Sequence, residues 1–199
     1  MNYIEQAVIR LRVDLGIPND LRPDLLDTLR RLRIAGVIRG FGPKIGAVSS
    51  DIAARWDPAE KWIFLSDAVW DQVVLGEEDP ELRFTILHEI GHAALRHSAR
   101  NRKVGNIYQH GRSVEREEEE ADDFARAFAI PLNFISNLDI RDATALSERF
   151  GLSREATEKR MVDLQRHART YVAGAADEPE DNYAEAMTVM SHNARNWNL

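Results

Sequence analysis

The stretch His88-Glu89-Ile90-Gly91-His92 constrains this chain more than any other, because its side chains act together only on an α-helix. Residues i and i+4 of a helix share one face, so both imidazoles reach one point while Glu89 stands at its edge. The flanks agree with a helix. Asp79-Pro80-Glu81 supplies an N-cap, a proline at the first helical position and an acid in the first turn. Leu82, Ile86, Ile90 and Ala93 form an apolar stripe, widened by Phe84, Leu87, Gly91, Ala94 and Leu95. Arg96-His97-Ser98 supplies basic residues at the C-terminal end. The pattern predicts a helix over about residues 80–97. Within it Gly91 costs about 1 kcal/mol relative to alanine, a cost explained if another backbone approaches closely there.

Two neutral imidazole nitrogens and a nearby carboxylate are the parts of a zinc hydrolase: two metal ligands and a base for water. A third ligand is sought in Ser113-Val114-Glu115-Arg116-Glu117-Glu118-Glu119-Glu120-Ala121-Asp122-Asp123-Phe124-Ala125. Ser113 is read as the N-cap of a helix whose acidic first turns suit the dipole and which Pro131 ends. Most of its glutamates form a solvated face. Four consecutive residues circle a helix, so one of them faces inward. Glu118 heads the stripe Glu118, Ala121, Asp122, Ala125, Ala129, with Glu117 and Glu120 as alternatives. Asp122, one turn on, is placed to accept the free ring N–H of a ligand histidine.

Phe84-Thr85-Ile86-Leu87-His88-Glu89-Ile90-Gly91-His92-Ala93-Ala94-Leu95-Arg96-His97 resembles the active helix of the ImmA/IrrE metallo-endopeptidases. Arg83-Phe84-Thr85 is similar to that family's lead-in. Glu118-Glu119-Glu120-Ala121-Asp122-Asp123-Phe124-Ala125, closing at Ile130-Pro131, resembles its E-x-E-A-[ND]-x-F-A…P helix. Trp56 to Ser66 resembles its turn and strand. The match covers about residues 35–165 and is strong over 83–131. The resemblance implies metal ligands His88, His92 and Glu118, with Glu89 as catalytic base and Asp122 supporting a ligand histidine. It also implies a substrate class, helix-turn-helix repressors, whose cleavage induces mobile-element or stress genes. Metzincins are set aside. They need a glycine and then a third histidine, whereas Ala93-Ala94-Leu95-Arg96-His97 lacks the glycine and brings His97 one position early. His97 is read as a helix C-terminal residue rather than a ligand.

Composition narrows the rest. A chain of 199 residues with 44% hydrophobic residues supports one domain with a core. The net charge of −7 argues against a general nucleic-acid binder. Arg30, Arg31, Arg33, Arg39 and Lys44 form a local basic group, read as an exposed helix face. The absence of cysteine excludes disulfides and thiolate zinc sites and fits a reducing, cytoplasmic setting. No signal peptide opens the chain, and no apolar run approaches the ~18 residues of a membrane span.

Along the chain, Ile4, Val8, Leu11 and Leu15 predict a helix stopped by Gly16. Pro23 opens a second, with Leu25, Leu26, Leu29 and Leu32 inward and Gly36 closing. Strands are expected near 37–39, 46–55 and 61–65 in a small antiparallel sheet, followed by a short helix through Trp70, Val73, Val74 and Leu75. Residues 98–112 are read as a polar loop between the two ligand-bearing helices. Its Tyr108 and His110 are candidates for oxyanion or substrate contact, or else plain surface residues. Beyond Pro131, a short helix at 132–135 precedes a helical hairpin. In it Ala143–Phe150, a Gly151 stop and a Ser153 N-cap lead into a helix to about Tyr171. The hairpin is a helix-turn-helix in outline, but Glu148, Glu155, Glu158 and Asp163 would repel phosphates, against Arg154, Lys159, Arg160 and Arg166.

The expectation is an α+β fold: a mostly helical zincin-like domain over residues 1–172, with a helical extension at 132–172 and a linker and tail at 173–199. The expected activity is hydrolysis of a peptide bond in a partner protein by Zn²⁺, with Mn²⁺ or Fe²⁺ fitting similar ligands. Two rivals remain. One is a metal-stapled binding module, against which Glu89 and the lack of a fourth protein ligand argue. The other is a toxin-like regulator touching DNA through its C-terminal helices.

Overall fold

A computed structural model describes residues 2–18, 22–44, 52–98, 107–132 and 142–175, with the backbone alone described at 107–113 and 167–175. The chain divides into two units, Met1–Met161 and Val162–Leu199. The fold is that of the first unit. It is α+β, as the sequence predicts, with helices around a three-stranded sheet.

The predicted helices form where their caps place them. Helix α1 (Tyr3–Asp14) starts at Asn2, whose side chain accepts from the Ile4 N–H, and α2 (Leu25–Ile34) starts at Asp24. Ile4, Val8, Leu11 and Leu15 are buried, as are Leu25, Leu29 and Leu32. Helix α3 (Asp67–Leu75) runs from the Ser66 cap to a left-handed Gly76. Helix α4 (Pro80–Leu95) has Asp79 as its N-cap, accepting from the Glu81 and Leu82 N–H groups. Helix α5 (Ile107–Ala129) packs along α4 and α1.

Two helix boundaries around the site depart from the sequence reading. Residues 107–112, expected in a loop, are helical, so Ser113 lies inside α5 rather than capping it. Once the packed turns from Ala121 to Ala129 nucleate a helix, extending it costs little per residue, and an interior serine is a weak stop. At the other end of the site α4 stops at Leu95, because Arg96 adopts the left-handed conformation at φ 58°.

The sheet is mixed rather than wholly antiparallel. Its order is β1 (Gly40–Gly42), β3 (Trp62–Leu65), β2 (Ala54–Asp57). β2 and β3 pair antiparallel as expected, Ala54 with Leu65 and Asp57 with Trp62, but β2 runs 54–57 rather than 46–55 and β1 40–42 rather than 37–39, with residues 45–51 outside the described ones. Asp57 shapes its turn by accepting from the Ala59 and Glu60 N–H groups. β1 is parallel to β3, with Phe41 opposite Ile63. The central strand has two edges; the hairpin occupies one, and β1 arrives from α2 in the direction of β3 on the other. Ile63, Phe64 and Leu65 are therefore all buried, as suits a central strand covered on both faces.

Helix α6 (Ala143–Phe150), the left-handed Gly151 and the Ser153 cap of α7 (Arg154–Ala175) follow the expected hairpin pattern. The helix expected at 132–135 falls largely outside the described residues. Arg160, counted in the sequence among charges that could face DNA, is buried and paired with Glu5. Arg154 and Lys159 are held by Glu158 and Glu155 along the helix.

Candidate metal centre

The candidate site lies where α4 crosses α5. Gly91 makes the crossing close. A Cβ at that position would meet the Ala121 carbonyl oxygen at 3.1 Å and the Phe124 Cβ at 3.2 Å. The backbone approach that the sequence reading required of Gly91 is thus present. It brings the face of α4 carrying His88 and His92 against the start of the small-residue stripe of α5.

His88, His92 and Glu118 converge there, one atom from each lying within 4.8 Å of the others. The two histidine Nε2 atoms are 3.0 Å apart. Glu118 Oε2 is 3.2 Å from that of His88 and 3.7 Å from that of His92. Bonds of the length zinc makes to nitrogen and oxygen, in a tetrahedral set, would separate ligand atoms by about 3.3–3.5 Å. The three distances bracket that figure, so the residues fit a small divalent cation. Among the described residues, neither Glu117 nor Glu120 joins this group.

The far side of each imidazole is engaged. His88 Nδ1 is 2.8 Å from Asp122 Oδ1. A carboxylate only accepts, so the proton sits on Nδ1 and the Nε2 lone pair faces the site. Burial works against charge on His88, but the Asp122 bond and the charges of Glu89, Asp122 and Glu118 outweigh it and raise its pKa. Burial also opposes the charge of Asp122, yet its bond to His88 and the nearby Arg126 hold its carboxyl below the usual range. His92 behaves oppositely: burial, with the adjacent His88 charge, draws its pKa down to about 4, leaving a neutral ring with a lone pair to give.

Glu89 is held by the sheet. In the antiparallel β2–β3 pair, Ser66 donates to the Ala53 carbonyl, which leaves the alternate Trp56 N–H on the outer edge of β2. That N–H donates to Glu89 Oε2 at 2.6 Å. Burial pushes the Glu89 carboxyl up to about 7, against the lowering effect of the Trp56 bond and of His88. A carboxyl poised near neutrality suits a group that takes and returns a proton.

The sequence reading missed three parts of this site. His97, read as a helix C-terminal residue, does follow the end of α4, and it is 7% exposed, with Nδ1 2.9 Å from His92 Nδ1 and Nε2 3.1 Å from Glu120 Oε2. Glu120, considered as a ligand, is instead bound to His97, to Arg116 Nε at 2.6 Å and to the Tyr3 hydroxyl. The third is the Trp56 backbone. Only the i+5 spacing from His92 to His97 was visible in sequence, and it acquires meaning through the left-handed turn at Arg96. Tyr108 and His110 lie in the first turns of α5, and their side chains are outside the described residues.

Residues 72–162 match the family model of the M78 peptidases, described as the IrrE N-terminal-like domain. No curated protein gives a significant match to the chain. A Mycobacterium tuberculosis transcriptional regulator of solved structure shares the fold over 79% of this chain, with a TM-score of 0.51 and 17% identity. The aligned region spans 45% of that protein's length.

Proposed function

We propose that this chain, whose residues 72–162 carry an IrrE N-terminal-like peptidase domain of the ImmA/IrrE metallopeptidases, is a zinc-dependent endopeptidase acting on a partner protein. His88, His92 and Glu118 would hold the cation. When bound, the cation supplies Lewis acidity toward a peptide carbonyl and toward water. The chain's own residues supply the rest. Glu89 accepts a proton at a carboxylate oxygen and returns it to the departing amine, with Trp56 N–H holding the carboxylate in place. Asp122 orients His88.

The observation that carries this reading is the convergence of three electron-pair donors on one point. The Nε2 atoms of His88 and His92 and the Glu118 carboxylate lie 3.0–3.7 Å apart, each able to give an electron pair to one small cation placed among them. Glu89 favours a hydrolase over a metal-stapled binding module, since a structural site has no use for a base.

The substrate class follows from the family resemblance: a helix-turn-helix repressor whose removal induces mobile-element or stress genes. The setting is cytoplasmic. No helix among the described residues is long and apolar enough to cross a membrane. The peptidase domain is read as residues 1–172; of the expected linker and tail, 173–175 continue α7 and 176–199 lie outside the described residues. Comparative proteomics of cells expressing the wild type or Glu89→Gln tests the reading. One repressor depleted only with the wild type is expected. Identical protein levels in both, with both variants zinc-loaded, would overturn it.

A further inference from the structure

The two histidines of the candidate centre are braced differently. His88 meets a carboxylate directly, whereas His92 meets another imidazole. We propose that His97, oriented by Glu120, is a positioning residue that accepts the Nδ1–H of His92 and thereby turns the bare Nε2 of His92 toward the cation. The proposal rests on the reading of His88, His92 and Glu118 as metal ligands.

Hydrogen-bond polarity sets the direction of the chain. Glu120 only accepts, so the proton between it and His97 belongs to His97 Nε2. An imidazole carrying that one proton offers a lone pair at Nδ1. His97 Nδ1 lies 2.9 Å from His92 Nδ1, so the proton between the rings belongs to His92. The single lone pair left on His92 is at Nε2, 3.0 Å from His88 Nε2 and facing Glu118. An inverted proton order would place N–H on His92 Nε2 and block it as a ligand.

The backbone is arranged to hold His97 there. Arg96 takes a left-handed conformation, unusual for a side-chain-bearing residue and costing about 1 kcal/mol or more. That turn lets the His97 N–H donate to the His92 carbonyl at 2.9 Å and folds its ring back beneath His92. The His97 carbonyl accepts from Trp56 Nε1 at 3.4 Å, tying the turn to the strand that also holds Glu89. Arg116 and Tyr3 brace the far end by binding Glu120. A histidine serving only to fill space would need none of these polar partners.

The test uses the full chain and zinc alone, with affinity measured by competition against a chromophoric chelator. His97→Phe keeps the volume but removes both nitrogens. It is expected to weaken zinc binding about 10- to 100-fold while thermal unfolding stays cooperative. His97→Gln retains an acceptor toward His92 and a donor toward Glu120, and should come within about threefold of the wild type. Glu120→Ala leaves His97 without its orienting acceptor and should weaken zinc binding about 10-fold. In the zinc-loaded wild type, ¹⁵N spectroscopy should show a coupling across the hydrogen bond between the two Nδ1 atoms, with the proton on His92. A proton on His97 Nδ1, or His97→Phe and Glu120→Ala binding zinc as tightly as the wild type, overturns the proposal and leaves the metal centre standing. A wild type that binds no zinc overturns the metal centre and this proposal together.

Discussion

Two parts of this molecule bury polar groups, and they do so in opposite ways. Arg12, Arg83 and Arg160 lie in the core with their guanidinium groups turned to acceptors. Arg12 donates to the Phe128 carbonyl at 2.6 Å and to that of Pro18. Arg83 donates to the carbonyls of Phe150 at 3.1 Å and Pro23 at 2.6 Å and pairs with Glu78. Arg160 reaches the Ile130 carbonyl at 2.8 Å and pairs with Glu5. Several of these carbonyls lie at or just past helix C-termini, which lack partners of their own. Burial draws the Arg83 pKa down only to about 10, so it remains charged at neutral pH. At the crossing of α4 and α5 the polar groups instead gather at one point: two imidazole nitrogens and a carboxylate within reach of a single cation. The first arrangement directs its donors to backbone carbonyls and acidic side chains of the chain and holds helix ends together. The second brings groups together that suit a shared cation, the pattern expected of a functional cluster rather than a structural one.

The contrast is open to experiment. Glu89→Gln should leave zinc stoichiometry at the wild-type value and slow cleavage of the partner by about 10²–10⁴-fold, measured as a single-turnover rate. Cleavage at the wild-type rate would remove Glu89 from the role of base. At the arginine anchors the effect should fall on stability instead. Arg160→Met strands Glu5 in the core and should cost about 3–5 kcal/mol in denaturant unfolding. Zinc stoichiometry of its folded fraction should not change. Lost zinc binding in that folded fraction would mean that the two regions are not separable. Asp122→Ala should weaken zinc binding about 10- to 100-fold, roughly 1.4–2.7 kcal/mol, with little change in unfolding. The smallest effect is expected at the crossing itself. Gly91→Ala places a methyl 3.1 Å from the Ala121 carbonyl oxygen, and the overpacking should cost about 1–2 kcal/mol, measured by urea midpoint. Unchanged stability would show that the helices part without cost.

Some of this was legible in the chain and some was not, for reasons that differ by residue. The start of α4 was readable because Asp79 and Pro80 act on groups within one turn. The pairing of Gly91 with a close neighbour was readable as a cost seeking a cause, though not which residue approached. The beginning of α5 was misread because helix extension answers to packing further along the chain as well as to the local cap. The parallel pairing of β1 was misread because strand direction depends on which edge of β3 the hairpin leaves free. The helix-end position of His97 was readable, but its partners were not, because they are not sequence neighbours: Glu120 is 23 residues away, and Tyr3 stands at the start of the chain.

What the amino-acid order alone determined is what depends on short range: the caps, the helical period, and the common face of His88 and His92. Those follow from interactions spanning four residues or fewer, which any copy of the segment would make. The tertiary structure decided the rest. It brought Glu118, out of a run of four glutamates, beside His88 and His92, gave Asp122 and His97 their respective imidazoles, and set the Trp56 N–H against Glu89. Each of those contacts depends on how two elements cross, and a crossing is settled by the packing of both partners together.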